Sequence, residues 1–138
     1  MRARSPNSSA AERLALVDAR RAREQYPVKF DGLREGYEQA ATHYERHGAL
    51  ARAARSNFRA LVVATMKIVL ASEGLIVGSD DEAARIAIAE RIAHLNLLMG
   101  NRPAAANYLK RALKFAADVG DERRVENLRR QLQQLEMT

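Results

Sequence analysis

Cysteine is absent from this 138-residue chain, which excludes a disulfide framework, a thiolate metal site and a cysteine nucleophile. Proline and glycine are scarce, at 3 and 7 residues, so little in the chain interrupts helices. Aromatic residues make up 5%, and β-branched and aromatic runs are too few for a sheet. Long apolar runs are missing as well. The most apolar window, residues 60–78, is broken by Lys67, Ser72, Glu73 and Gly74, short of the roughly 20 apolar residues a spanning helix needs. The opening MRARSPNSS is basic and polar, and AAERLALVDARRAREQ carries charge too often for the core of a secretory signal. A cytoplasmic location without membrane insertion is therefore expected.

Alanine (26 residues), leucine, arginine and glutamate dominate what is present, a balance that favours helix. The expected class is all-α, and the length is that of one domain able to bury about two-thirds of its unfolded surface. The formal charge is +6, with 23 basic against 17 acidic residues. Arginine supplies most of the positive charge and suits bidentate contacts to carboxylate or phosphate. Acidic residues interleave with most basic clusters, the pattern of solvated helix faces laced by i,i+4 pairs.

Helix punctuation recurs along the chain. Residues 1–8 read as a disordered basic tail, and Ser9 with Glu12 as a capping box opening a helix over 9–25 that ends before Pro27. A second helix starts at Asp31 or Gly32 and stops at Gly48. A third begins near Leu50 and either runs on to about Ser72 or breaks to supply an extra element near GLIVG; the extended helix is favoured. Ser79 with Glu82 reads as a second capping box, launching a fourth helix to Met99. Asn101 caps the fifth, with Pro103 in its first turn, where the missing N–H costs nothing. Gly120 closes that helix near Val119, and Asp121 caps a sixth over 121–136 with Val125, Leu128, Leu132 and Leu135 on one stripe. Short turns between helices imply antiparallel hairpins, near 32–72 and 80–119, within one domain over 9–137.

The two hairpins share a register. Counted from Gly48 and Gly100, a small residue lies seven before (Ala41, Ala93), five after (Ala53, Ala105) and twelve after (Ala60, Ala112), with leucine thirteen after (Leu61, Leu113). Together with Tyr37, Tyr44 and Leu109, this pattern resembles the tetratricopeptide repeat (TPR) over residues 34–135. The resemblance implies a right-handed helical repeat of about six helices, with the helices over 9–25 and 121–136 as caps. The glycines stand 52 residues apart against a family repeat of about 34 to 40, and the excess falls after Leu61. Asn57 and Asn96 stand where the family prefers an aromatic.

No catalytic signature is present: no phosphate-loop glycine motif, no Ser-His-Asp order and no paired-carboxylate pattern. His43 and His47 share a helix face in HYERH, but Tyr44 stands where the zinc-protease pattern has glutamate, and two imidazoles lack a third ligand. A non-catalytic chain without metal or cofactor is expected. The TPR resemblance implies a protein-interaction module, an adaptor, scaffold or chaperone-like part, binding a peptide or helix in a groove lined by the first helix of each hairpin. The groove positions it implies are Glu35, Glu38, Thr42, Glu45 and Arg46 from one hairpin, and Glu90, Arg91, His94, Leu97 and Leu98 from the other. Glu38, Thr42 and Glu90 depart from the lysines and asparagines of the family's chaperone-tail clamp, so a basic or mixed helical ligand fits better, with Leu97 and Leu98 as an aliphatic anchor. The alternative is a small basic nucleic-acid-binding protein using the N-terminal arginines and Lys110, Arg111 and Lys114. A homo-oligomer through the long third helix is a further option.

Overall fold

In a computed structural model the described residues are 32–77 and 80–137, and they are all-helical. Five helices follow in order: α1 (Leu33–Arg46), α2 (Leu50–Ser72), α3 (Asp81–Leu98), α4 (Arg102–Asp118) and α5 (Glu122–Met137). The expected tail over 1–8, the helix over 9–25 and Ser79 of the second capping box lie outside the described residues. The residue at the α3 N-cap position is Asp80, which makes no side-chain cap hydrogen bond. Among the described residues no helix is long and apolar enough to cross a membrane.

The turns at Gly48 and Gly100 are built alike. Each glycine takes a positive φ, 74° and 79°, which only a residue without Cβ adopts cheaply. Its N–H donates to the carbonyl three residues back (Glu45, Leu97), and the next N–H reaches five back (Ala49 to Tyr44, Asn101 to Asn96). This pair of bonds satisfies the last carbonyls of a helix and turns the chain at once. The following helix begins two residues after the glycine in both cases, and again after Gly120. Asn101 accepts from Ala104 N–H at 3.2 Å and Asp121 from Arg124 N–H at 3.1 Å, so both predicted caps are formed.

Among the described residues each helix packs its backbone against only the helix before it and the helix after it. All six register alanines (Ala41, Ala53, Ala60, Ala93, Ala105 and Ala112) are buried. Side chains this small let helix axes come together, and larger knobs fill the space beside them. Leu33 and Tyr37 at the start of α1 cover Val63, Met66 and Leu70 in the second half of α2. Ala60 and Leu61 of α2 meet Ile88 and Ile92 of α3, with Tyr108 and Phe115 of α4 completing the cluster. Ile86, Ala89 and Ala93 of α3 join Leu109, Ala112 and Ala116 of α4 around Leu128, and Val125, Leu132 and Leu135 finish the α5 stripe.

The third predicted helix is one uninterrupted element, α2, of 23 residues against 14 in α1. At 1.5 Å per residue it overreaches its partner by about 13 Å. The excess length between Gly48 and Gly100 lies in this overhang and in the connection from Glu73 to Asp80, not in a broken helix. Asn57 and Asn96 are buried, and each amide donates to the carbonyl four residues back, Ala53 at 3.2 Å and Ile92 at 2.9 Å. A buried amide satisfied by its own helix asks nothing of its neighbours.

Replacing Ala105 or Ala112 by leucine is expected to overpack the α3–α4 seam and lower stability by about 1 to 3 kcal/mol, measured by thermal or urea denaturation. Leucine at the exposed Ala117 of the same helix serves as the reference and should change stability little.

Candidate functional site

The first helices of the two predicted hairpins are α1 and α3, and the exposed strip of α3 runs between α1 and α5. It passes through Ala83, Ala87, Arg91, His94, Leu97 and Leu98, all exposed, with Glu90 half-buried at its edge. Arginines tie its two edges down. Arg91 Nη2 lies 3.0 Å from Glu45 Oε1 on α1, and Arg124 Nε of α5 lies 3.7 Å from Glu90 Oε1, its Nη1 reaching Ala83 O at 3.5 Å. The backbones of α1 and α3, and of α3 and α5, do not pack on each other, so these long side chains span the gaps between alternate helices.

Near the start of α1 a denser cluster does the same. Arg34 is 5% exposed and Asp81 4%, and Arg34 Nε donates to Asp81 Oδ1 at 2.9 Å. The guanidinium also meets Glu38, Glu35 at 3.0 Å and Asp80 at 3.3 Å, while Lys67 of α2 lies 3.5 Å from the second oxygen of Asp81. Burial lowers the Arg34 pKa, but the carboxylates of Glu35, Glu38 and Asp81 outweigh it and hold the pKa above the ordinary arginine value. The cation is permanent, and three helices converge on it. Arg85 of α3 is a contrast: burial lowers its pKa despite Glu82 and Asp118, and its guanidinium stacks 4.0 Å over the Phe115 ring.

Of the positions implied as a groove, Glu35 meets Arg34 and Arg46 is exposed at the end of α1, and the other eight fall into three groups. Glu38, Glu45, Glu90 and Arg91 are engaged in ion pairs within the chain. Thr42 is exposed, with its hydroxyl donating to Glu38 O at 3.1 Å. His94, Leu97 and Leu98 lie on the open strip, Leu98 being 55% exposed and continued by Met99 at the helix end. The structure brings Glu45 and Arg91 together across two helices, and it leaves Glu38 at the far end of α1, in the Arg34 cluster. Arg34, Asp81 and Arg124 carry the geometry and were not among the predicted positions. The one available signal was Lys67 in an otherwise apolar window, a charge that burial requires to have a partner.

His43 and His47 are exposed at the end of α1, with ring centroids 4.4 Å apart, and His47 Nδ1 lies 2.9 Å from His43 O. Among the described residues no group of three or more His, Asp, Glu or Cys side chains could hold a metal ion. An open cleft of about 370 Å³ beside the strip is lined by Glu90, Asp121, Arg123, Arg124, Asn127 and Gln131, with charges of both signs.

Removing either centre of the cluster takes away the other's most buried partner, while Arg34 keeps Glu35, Glu38 and Asp80, and Asp81 keeps Lys67. Arg34→Met and Asp81→Asn are each expected to cost about 2 to 4 kcal/mol in denaturant unfolding, whereas Arg124→Met at the half-exposed pair costs under about 1 kcal/mol. The double variant R34M/D81N should lose clearly less than the two single losses added together, because the pair is shared. No family model, curated protein or solved structure matches the chain, so the family resemblance stands on its residue register alone.

Proposed function

We propose that this chain is a non-catalytic protein-interaction module of TPR-like design, an adaptor or scaffold part that binds a peptide or helix along the open strip of α3. In this reading α1–α2 and α3–α4 are two antiparallel hairpins related by the Gly48 and Gly100 register, and α5 covers the end of the stack. The matching turns, the six buried register alanines and the packing of each helix on its sequence neighbours support it.

The observation that carries the reading is the composition of the strip. Its middle is bridged by Glu45–Arg91 and Glu90–Arg124, which link α1, α3 and α5 across its two edges. Its far end exposes Leu97, Leu98 and Met99 side by side, aliphatic area that no helix of the described residues covers. A strip with polar edges and an apolar end suits an amphipathic helix or peptide carrying one large apolar anchor. Glu45 and Glu90, the carboxylates at the edges of the strip, are each paired with an arginine, so the ligand's charge matters less than its anchor.

Affinity capture from the native source, compared between the unaltered chain and L97D/L98D, tests the reading. A partner retained by the former and lost from the latter is the expected outcome, with thermal melting preserved because both residues are exposed. Equal capture by both would refute a ligand anchored at Leu97 and Leu98.

A further inference from the structure

The opposite side of the molecule carries a different arrangement of charge. α2 contains no acidic residue at all, and its cations are Arg52, Arg55, Arg59 and Lys67. α4 carries Arg102, Lys110, Arg111 and Lys114 against the single Asp118. In α1 and α3 the balance is reversed, with Glu35, Glu38, Glu45, Asp81, Glu82 and Glu90 outnumbering the arginines. Charge is therefore sorted by helix: the second helix of each hairpin is cationic, the first is acidic.

On α2 and α4 Lys67 pairs with Asp81, Lys114 with Asp118, and Arg102 donates to Leu135 O, but the other five cations stand apart from these contacts. Arg52, Arg55, Arg59, Lys110 and Arg111 are all exposed, and none has a carboxylate within ion-pair distance among the described residues. Arg34, Arg91 and Arg124, by contrast, are each paired. The two rows sit on one side of the fold. Phe58 of α2 and Tyr108 and Phe115 of α4 pack into the same cluster over α3, and Arg59 and Arg111 occupy equivalent places eleven residues after Gly48 and Gly100.

We infer that this α2–α4 face binds the phosphate backbone of a nucleic-acid duplex, independently of the α3 strip. Three features select that partner. Arg52 to Arg59 spans about 10 Å of helix rise, close to the axial span of about three phosphates of one strand. Arginine dominates the face, and its planar fork accepts phosphate oxygens two at a time. No aromatic ring is free to stack on unpaired bases, since Phe58, Tyr108 and Phe115 are half-buried and Arg111 lies over Tyr108 at 5.0 Å. An anionic membrane fits less well, because the large apolar side chains exposed on these helices, Val69 and Val119, lie at the helix ends and not among Arg52, Arg55, Arg59, Lys110 and Arg111.

The test uses the full chain and a generic 25-base-pair DNA duplex, with affinity followed by fluorescence anisotropy from about 50 to 200 mM salt. With four to five phosphates contacted, the log–log slope is expected near −4. The variant R55Q/R59Q/K110Q/R111Q should flatten that slope to about −1 or less and weaken binding at least 100-fold at 50 mM salt, with an unchanged melting temperature. Arg129→Gln on α5, also exposed and unpaired, should leave the slope within error. The proposal is overturned if the duplex does not bind at 50 mM salt, or if the four-site variant binds as tightly as the unaltered chain, which would move the contacts to other cations. Tighter binding of the matching single strand, of polyglutamate or of phosphatidylserine vesicles than of the duplex would overturn it equally.

Discussion

The helices of this protein meet over alanine. Ala41, Ala53 and Ala60 in one half, and Ala93, Ala105 and Ala112 in the other, are buried where neighbouring helices cross, and a side chain one or two carbons larger would force the axes apart. The rest of the packing follows from that spacing. Tyr37, Ile92, Leu109 and Leu128 can reach their partners only because the backbones are already close. Alternate helices, in turn, are brought near enough for single arginine side chains to join them: Arg34 and Arg91 between α1 and α3, and Arg124 between α3 and α5.

Those arginines give one face its character. Inside the Arg34 cluster Arg34 and Asp81 are buried against each other with Lys67 on the second Asp81 oxygen, so the cluster orients three helices, while Glu35 and Asp80 reach it from solvent. At Glu45–Arg91 and Glu90–Arg124 the pairs are half-exposed and individually weak, and they edge the strip that ends in Leu97 and Leu98. The opposite face carries Arg52, Arg55, Arg59, Lys110 and Arg111, which have no carboxylate within ion-pair distance among the described residues. Sorting charge in this way costs little folding stability on a solvated surface and leaves two chemically different faces, one ending in exposed aliphatic side chains and one cationic.

Much of the helical plan was legible before any coordinates. The glycines at 48, 100 and 120 mark helix ends because their turns need a positive φ, and Asn101 and Asp121 mark starts because their side chains cap free N–H groups. The apolar window after Leu61 left two continuations open, and the uninterrupted α2 decided between them. Of the α3 positions that the repeat resemblance implied, Arg91, His94, Leu97 and Leu98 are exposed and Glu90 is half-buried. What those residues do there was not legible. Glu45 and Glu90 look in the sequence like free surface carboxylates, and each is half of a bridge to a residue 46 or 34 positions away.

By itself, the sequence determined the all-helical class, the helix ends at Gly48, Gly100 and Gly120, and the small-residue seam along which the helices pack. These are local properties: backbone propensity, caps, and a residue's place on its own helix. Tertiary structure alone decided the pairing of charges. Arg34 became buried, Lys67 stopped being an interruption and became the partner of Asp81, and Arg55, Arg59, Lys110 and Arg111 were left on one side with no carboxylate in ion-pair distance among the described residues. Electrostatic partners are chosen by distance in space across helices far apart in the chain, and neither periodicity nor composition contains that distance.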